Sequence, residues 1–169
     1  MNVEKAIKTA IEFENRVRDV YRQAFNKAGD EVGKRVFKAL ADEEQQHVDY
    51  LNSRLELWRK QGDLDFGKLE TSVPSKSTIA NGLAKLRGHI KETDRGAELQ
   101  LLNRALDIEM ETSDFYRRMV DEMDAEPRKM FARFLEIEEG HQAIVKAEID
   151  ALTGMGVWFD FIEFDLESN

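Results

Sequence analysis

The chain has 169 residues, of which 35% are charged, and its formal net charge at pH 7 is −9. This length suits one domain with a substantial core, and the acidic balance argues against nucleic-acid binding or adhesion to an anionic membrane, since either needs a basic face. The absence of cysteine excludes disulfides, thiolate catalysis and cysteine-ligated iron sites within this chain. Because no apolar signal core or membrane-length apolar run is present, we expect a cytoplasmic protein.

Apolar residues recur at three- and four-residue steps along most of the chain, which contains only two prolines. This period favours an all-α fold, and we predict four long helices. The helices are expected over roughly residues 3–27 with an end at Gly29, from Asp30 to Gly62, from about Asp94 to Met123, and from about Pro127 to Gly154.

The connection between the second and third helices, residues 63–93, is too long for a tight turn. It predicts a crossover that lets the second pair of helices run beside the first, with a short helix from Ser77 to His89 inside it. Residues 155–169 mix large apolar side chains with acids and are expected to pack on the helices or on a partner subunit. We therefore divide the chain into a helical domain, 1–154, and a C-terminal tail, 155–169.

Two segments of the chain repeat one four-residue code. A glutamate is followed seven positions later by a tyrosine, and a Glu-x-x-His motif follows 30 residues after the first glutamate in one copy and 29 in the other. These matched spacings suggest an internal duplication and a site with approximate twofold symmetry. The first copy contains Glu14, Tyr21, Glu44 and His47, and the second contains Glu109, Tyr116, Glu138 and His141.

The repeated code predicts a dinuclear metal site inside a helical bundle. Positions three apart share a helix face, so each Glu-x-x-His can present a carboxylate and an imidazole toward one point. Four carboxylates and two imidazoles suit two iron ions, with manganese as the alternative, and do not suit a structural zinc site. Unpaired buried carboxylates cost on the order of several kcal/mol each, so metal is expected to stabilise the fold. The competing interpretation is a coincidental or purely structural cluster.

Several polar residues close to the motifs are not predicted to bind metal. Tyr21 and Tyr116 are left between two roles, a core tyrosine with a satisfied hydroxyl and a donor to a ligating carboxylate. Two aspartates and His89 are expected at the surface, and four further acids are predicted by helical phase to point away from the ligands. The aspartates are Asp19 and Asp114, and the four acids are Glu43, Glu111, Glu136 and Glu139.

These motifs resemble the ferritin-like diiron-carboxylate superfamily, and most closely its rubrerythrin branch, over roughly residues 3–153. The resemblance implies a ferritin-like four-helix bundle with a long crossover between its second and third helices. It also implies Glu14 and Glu109 as the ligands from the single-glutamate helices, Glu44 and Glu138 as bridging carboxylates, and reaction of diferrous iron with hydrogen peroxide or dioxygen.

Two departures from the rubrerythrin pattern alter what the resemblance implies. Rubrerythrins carry a further glutamate one turn after the third-helix ligand, where this chain has Thr112, so the six-ligand set is closer to the symmetric site of bacterioferritins. The rubredoxin domain is also missing. An external electron donor, such as a rubredoxin-type protein, is therefore required.

Three functional hypotheses follow from the sequence. The first is a redox enzyme that reduces peroxide or dioxygen with electrons from a separate carrier. The second is a ferroxidase that stores iron in a large shell, and the third is an interaction module with a structural metal and the Trp158–Phe164 tail as its docking surface. A homodimer is expected because the crossover is long and the aromatic tail is predicted to be exposed.

Overall fold

The structure, a computed structural model of the chain, describes residues 2–62, 67–86 and 95–163. All regular secondary structure in these ranges is α-helical, which confirms the predicted all-α class. None of the described helices combines the length and the apolar character of a transmembrane span. The helices are α1 (Val3–Lys27), α2 (Glu31–Gln61), α3 (Lys76–Leu86), α4 (Gly96–Glu122) and α5 (Ala125–Met155).

Capping fixes both ends of α2 where the sequence predicts them. The Asp30 carboxylate accepts a hydrogen bond from the backbone N–H of Val32 at 2.8 Å, which satisfies one of the free donors in the first helical turn. Gly62 ends the helix in the left-handed conformation, with φ of 65°, which glycine adopts without steric cost. Pro127 lies in the first turn of α5, where its missing N–H is not needed.

The predicted range of α1, residues 3–27, is confirmed, whereas α5 ends one residue beyond the predicted Gly154. The chain leaves α1 at Ala28, which is extended and donates its N–H to Ala24 at 2.8 Å, so Gly29 is not the terminator. Gly154 stays within α5, and Gly156, with φ of 67°, ends that helix. Local backbone bonding rather than the first available glycine therefore decides where these helices stop.

The crossover contains α3, which corresponds to the short helix predicted from Ser77. The predicted end of that helix at His89 and the predicted start of the next long helix at Asp94 lie outside the described residues. Within the described residues, α4 begins at Gly96. The crossover brings α3 against α5, while α1 packs along α2, α4 packs along α5, and α1 contacts α4.

Two apolar clusters form the core, and a polar layer separates them along each long helix. The cluster that contains the C-terminal tail, here called the tail-side cluster, includes Val17, Leu40, Ile108 and Ile144. The cluster at the turn between α4 and α5, here called the turn-side cluster, includes Ala10, Leu51, Phe115 and Phe134. On each of the four long helices, the predicted ligand positions fall between a residue of one cluster and a residue of the other. The predicted site therefore occupies the middle of the packed helices.

The C-terminal tail packs on its own chain. Trp158, Phe159 and Phe161 are buried in the tail-side cluster, and the Trp158 ring meets Phe37 edge to face with 5.5 Å between centroids. A Cβ atom on Gly33 would lie 2.5 Å from the indole, so only glycine allows this close approach.

The predicted exposure of the aromatic tail is therefore wrong for Trp158, Phe159 and Phe161, which are buried against their own chain. Burial of these rings removes apolar area from water within one chain, with no need for a partner. The expected homodimer loses one of its two supporting arguments. Phe164, at the end of the predicted docking segment, lies outside the described residues.

Candidate metal centre

The structure brings together all six predicted ligand residues in the polar layer between the two apolar clusters. Each of the six side chains is fully buried, with a relative exposure of 0%. Four helices contribute, because each carries its glutamate in register with buried apolar positions three or four residues away. The six are Glu14 on α1, Glu44 and His47 on α2, Glu109 on α4, and Glu138 and His141 on α5.

One half of the cluster is centred on the Nδ1 atom of His47. This nitrogen lies 3.0 Å from Glu14 Oε2, 3.2 Å from Glu44 Oε2 and 3.5 Å from Glu138 Oε1. The three carboxylates come from three different helices. Tertiary packing of α1, α2 and α5 therefore assembles this half, and no single sequence segment supplies it.

The other half is centred on the Nδ1 atom of His141. It lies 2.7 Å from Glu44 Oε1, 3.7 Å from Glu109 Oε1 and 3.8 Å from Glu138 Oε1. The shortest of these contacts lacks hydrogen-bond alignment, as expected when two ligand atoms converge on a common point. The two imidazole rings are nearly parallel, with 5.5 Å between their centroids.

These atoms form two four-residue groupings, each of which could hold a metal ion. In each grouping one nitrogen or oxygen per residue lies within 4.8 Å of the others. Both groupings contain Glu44 and Glu138, the two carboxylates that the resemblance implies as bridges. The first adds Glu14 and His47, and the second adds Glu109 and His141.

Several buried atoms of the cluster have no hydrogen-bond partner among the described residues. They include both carboxylate oxygens of Glu138, one oxygen each of Glu44 and Glu109, and Nδ1 of His141. Buried polar atoms are normally paired, because an unpaired group costs about 1–3 kcal/mol. A mixed oxygen and nitrogen donor set with this many free lone pairs fits the demand of divalent cations.

Two tyrosines hold the carboxylates of the single-glutamate helices. Tyr21 donates a hydrogen bond from its hydroxyl to Glu109, and Tyr116 donates one to Glu14. Both tyrosines are fully buried. Each therefore links the two halves of the repeat, because the hydroxyl of one copy bonds the glutamate of the other.

Burial shifts the pKa values of three carboxyl groups upward. Desolvation, followed by the charge of Glu44, raises the pKa of Glu14 to about 8. Desolvation likewise raises the pKa of Glu109 to about 7 and that of Glu138 well above 4.5. Removing a carboxylate from water disfavours its ionised form. Without a cation, these groups retain protons at pH values where exposed glutamates lose them.

Glu44 and the histidines shift in ways that favour charge. Burial opposes ionisation of Glu44, but the charges of His141 and His47 lower its pKa well below 4.5. Burial opposes protonation of His47, but Glu44 and Glu14 raise its pKa to about 10. The pKa of His141 is likewise raised well above 6.5 against burial, chiefly by Glu44. In the metal-free site, protons supply the compensating positive charge.

The prediction that Glu43 points away from the ligands is wrong. Its side chain is only 3% exposed, and it accepts hydrogen bonds from the Ser72 backbone N–H at 2.9 Å and from the Thr71 hydroxyl. It also lies 3.5 Å from His141 Nε2. Position 43 is four residues before His47 and shares its helix face. The prediction compared the helical position of Glu43 only with that of the ligand glutamates and therefore missed this relation.

Glu43 also belongs to a third grouping. Together with His47 and His141 it brings three ligand atoms within 4.8 Å of one another. Burial raises its pKa, but hydrogen bonding and the charge of His141, together with the Thr71 hydroxyl, lower it to about 2. Glu43 is therefore an anion beside the histidines.

The other predictions for neighbouring polar residues are confirmed where the structure describes them. Asp19 and Asp114 are exposed and pair with arginines of their own helices. Glu111 and Glu136 are exposed and paired with arginines, and Glu139 is half-buried with Lys76 and an arginine beside it. These acids are solvated at the surface and contribute little to a buried site.

Thr112 occupies the position where rubrerythrins carry a further glutamate. It is buried, and its hydroxyl donates to the Ile108 carbonyl at 2.9 Å. A threonine hydroxyl bonded to the preceding turn of its own helix is neutral and does not replace the missing carboxylate. The carboxylates of the cluster are therefore limited to those of the repeated code and Glu43.

Glu148 is a further buried acid that the sequence reasoning missed. It is fully buried, and its Oε2 accepts a hydrogen bond from the backbone N–H of Phe159 at 2.8 Å. Desolvation raises its pKa well above 4.5. Its position seven residues after His141 places it on the same helix face, which is the signal that could have identified it.

Comparison with family models, with curated proteins and with solved structures yields no match to this chain.

Proposed function

We propose that this protein is a diiron-carboxylate redox protein that reduces hydrogen peroxide, or dioxygen, with electrons from an external carrier. The observation that carries the proposal is the pair of buried four-residue groupings that share Glu44 and Glu138. Two cations held side by side need carboxylates between them, and a shared pair meets that need. A purely structural polar cluster would not leave so many oxygen atoms unpaired.

The donor set favours iron, with manganese as the alternative metal. Each grouping offers three carboxylates and one imidazole, a combination that suits hard-to-borderline divalent cations with an open coordination position. Structural zinc sites instead use four tetrahedral ligands and often thiolates, and the chain has no cysteine.

The helix packing supports a ferritin-like four-helix bundle as the setting of the centre. Pairs α1–α2 and α4–α5 each supply one single glutamate and one Glu-x-x-His motif, and α1 contacts α4 across the pairs. The long connection between α2 and α4 is what a parallel arrangement of two helix pairs requires. The motif spacing resembles that of the rubrerythrin branch.

The chain's own residues would position the metals and restrict the substrate. When bound, two ferrous ions supply two electrons, which with two protons reduce one hydrogen peroxide to two waters. Tyr21 and Tyr116 hold the carboxylates of Glu109 and Glu14 in place. Because all six ligand side chains are fully buried, only a small oxidant can reach them. The chain has no cysteine for a second redox centre, so a rubredoxin-type protein or a similar carrier would return the electrons.

Metal analysis combined with peroxide consumption tests the proposal. We expect two iron ions per chain after anaerobic loading, and one peroxide consumed for every two ferrous ions oxidised. An unreactive protein with two metals would instead support the metal-stabilised interaction module, and fewer than two metals per chain would contradict a dinuclear centre. The Glu136→Ala variant is the matched control for substitution of Glu138, because this exposed acid lies on α5 only two residues from Glu138.

The alternative functions are separated by assembly size. Iron storage needs a large shell of roughly 24 subunits, whereas the proposed peroxidase needs only a small oligomer such as the expected homodimer. Size-exclusion chromatography distinguishes the two. The interaction-module hypothesis loses its predicted docking surface, because Trp158 and Phe161 are buried in their own chain.

A further inference from the structure

The two copies of the repeated code differ at the residue that precedes the glutamate of each Glu-x-x-His motif. This residue is Glu43 in the first copy and Ile137 in the second. Both are buried, with relative exposures of 3% and 2%. The site has approximate twofold symmetry, but one copy places a carboxylate where the other copy places an alkyl group.

The carboxylate of Glu43 lies beside the histidine of the opposite copy. Its Oε2 is 3.5 Å from Nε2 of His141, the ring nitrogen that faces away from the carboxylates gathered around Nδ1. At this distance the contact is longer than a typical hydrogen bond, and such contacts often tighten when a site is occupied. Nε2 of His47 and Nε2 of His141 both lack a formal hydrogen bond among the described residues, but only Nε2 of His141 has a carboxylate this close.

Glu43 is itself fixed in place before any metal binds. One oxygen accepts from the Ser72 backbone N–H at 2.9 Å and from the Thr71 hydroxyl, and the other accepts from the Ser72 hydroxyl at 3.1 Å. Three donors from the crossover thus hold the carboxylate. A preorganised anion can orient an imidazole without paying the entropy of its own ordering.

A carboxylate on the outer nitrogen of a metal-binding histidine changes how the inner nitrogen binds. It fixes the proton on Nε2, leaves the lone pair of Nδ1 toward the cation, holds the ring orientation and increases ligand basicity. Loss of such a partner typically lowers metal affinity about 10–100-fold. Only His141 has this partner within 4 Å in the described part of the chain.

We propose that Glu43 makes the two metal positions unequal. Glu43 acts as a positioning residue for His141, so the position held by His141 binds its cation first and more tightly than the position held by His47. This inference rests on the proposed function, because it requires two metal positions. It predicts the order in which the two positions bind their cations, which the symmetric motif alone does not predict.

Titration of the full-length metal-free protein with Co²⁺, followed by calorimetry, tests the order of loading. We expect two one-equivalent steps whose affinities differ about 10–100-fold. The His47→Ala variant should keep the tight step, and the His141→Ala variant should keep only the weak one. Two steps of equal affinity in the unmodified protein would overturn the inference while leaving the dinuclear proposal standing. Failure to bind two cations would instead overturn the proposed function itself.

The Glu43→Gln substitution tests the role of the carboxylate. We expect it to weaken the remaining step about 10–100-fold in the His47→Ala background and to leave the remaining step unchanged in the His141→Ala background. A general loss of structure would weaken both, which would overturn the positioning role. Asp42→Asn is the matched control, because this neighbouring acid is exposed and paired with Lys38.

A second substitution keeps the test decisive if Glu43→Gln does not fold. Thr71→Val preserves side-chain shape and removes one donor to Glu43, so the tight step should weaken several-fold while the weak step stays the same. An unchanged tight step would overturn the proposal. Binding of a third cation that is lost in Glu43→Gln would also overturn it, because Glu43 would then be a ligand of the third grouping.

Discussion

Two regions of this molecule bury acidic side chains, and they neutralise the charge differently. In the polar layer, Glu44 and Glu138 belong to two groupings of ligand atoms within 4.8 Å of one another. Near the tail, Glu148 is a buried acid with one hydrogen bond, from the Phe159 N–H. The first region gathers many donors around common points, whereas the second covers one carboxyl group with a backbone amide.

The contrast between these regions separates a metal site from an isolated buried acid. Burial, together with the charge of Asp160, raises the pKa of Glu148 well above 4.5, so a proton is sufficient to remove its charge. The polar layer instead contains histidines beside the glutamates, and its ligand atoms converge within 4.8 Å of one another. Convergence of several donors, rather than burial, indicates a cation.

The largest effect is expected from the Glu138→Ala substitution. This carboxylate belongs to both groupings, so its removal should reduce bound metal from the proposed two ions per chain to nearly none. Metal analysis after gel filtration measures the result. The Glu148→Gln variant should retain both ions, and equal metal loss in the two variants would remove the distinction between the regions.

Metal binding should stabilise the protein by several kcal/mol. A ligand that binds only the folded state at 1,000 times its dissociation constant adds about 4 kcal/mol to the free energy of unfolding. Urea denaturation with and without a chelator measures this gain. The gain should persist in Glu148→Gln and vanish in Glu138→Ala. The same midpoint with and without metal would argue for a purely structural cluster.

The metal-free protein should lose stability as the pH rises. Glu14 keeps its proton up to about pH 8 in the folded state but only up to its usual value of 4.5 when unfolded. His47 likewise keeps its proton up to about pH 10 rather than 6.5. The folded state therefore binds more protons across this range, and its stability is lost as the pH increases toward the folded pKa values.

Urea denaturation of the metal-free protein between pH 5 and pH 9 measures this dependence. The Glu14→Gln variant should show a shallower decline, because it removes one of the titrating groups. A stability that rises with pH over this interval would contradict the assigned protonation of the cluster.

The smallest effect is expected from the Glu148→Gln substitution. The amide keeps an acceptor for the Phe159 N–H and resembles the protonated acid, so the variant should match the unmodified protein at pH 5. Because the folded pKa is raised, stability of the unmodified protein declines with rising pH, and the variant should be more stable than the unmodified protein at pH 8. Thermal unfolding at both pH values measures the difference, and equal stability at pH 8 would contradict a buried titrating carboxyl.

The sequence predicted much of the fold because its signals are local. Apolar spacing predicted the long helices, and Asp30 and Gly62 marked the ends of α2 through capping that involves only neighbouring residues. The range of α1 was correct, but Gly29 does not cap it and Gly154 lies inside α5, because backbone bonding elsewhere in the last turn competes with a glycine signal. Boundaries therefore depend on more than residue type.

The candidate site was predictable as a set of residues but not as an arrangement. Repeated spacing singled out Glu14, Glu44, His47 and their counterparts, because a helix fixes which side chains share a face. It missed Glu43, since the partners that hold this carboxylate come from the crossover, about 30 residues along the chain. The function of a buried acid depends on what covers it.

By itself the sequence determined the helical period and the two Glu-x-x-His motifs, because both are set by contacts within a few residues. The packing of the helices, in contrast, places Glu44 and Glu138 in both groupings, brings Tyr21 to the glutamate of the other copy, and buries Trp158 against its own chain. These contacts join distant segments, and their positions follow from how packed helices exclude water and pair buried polar atoms.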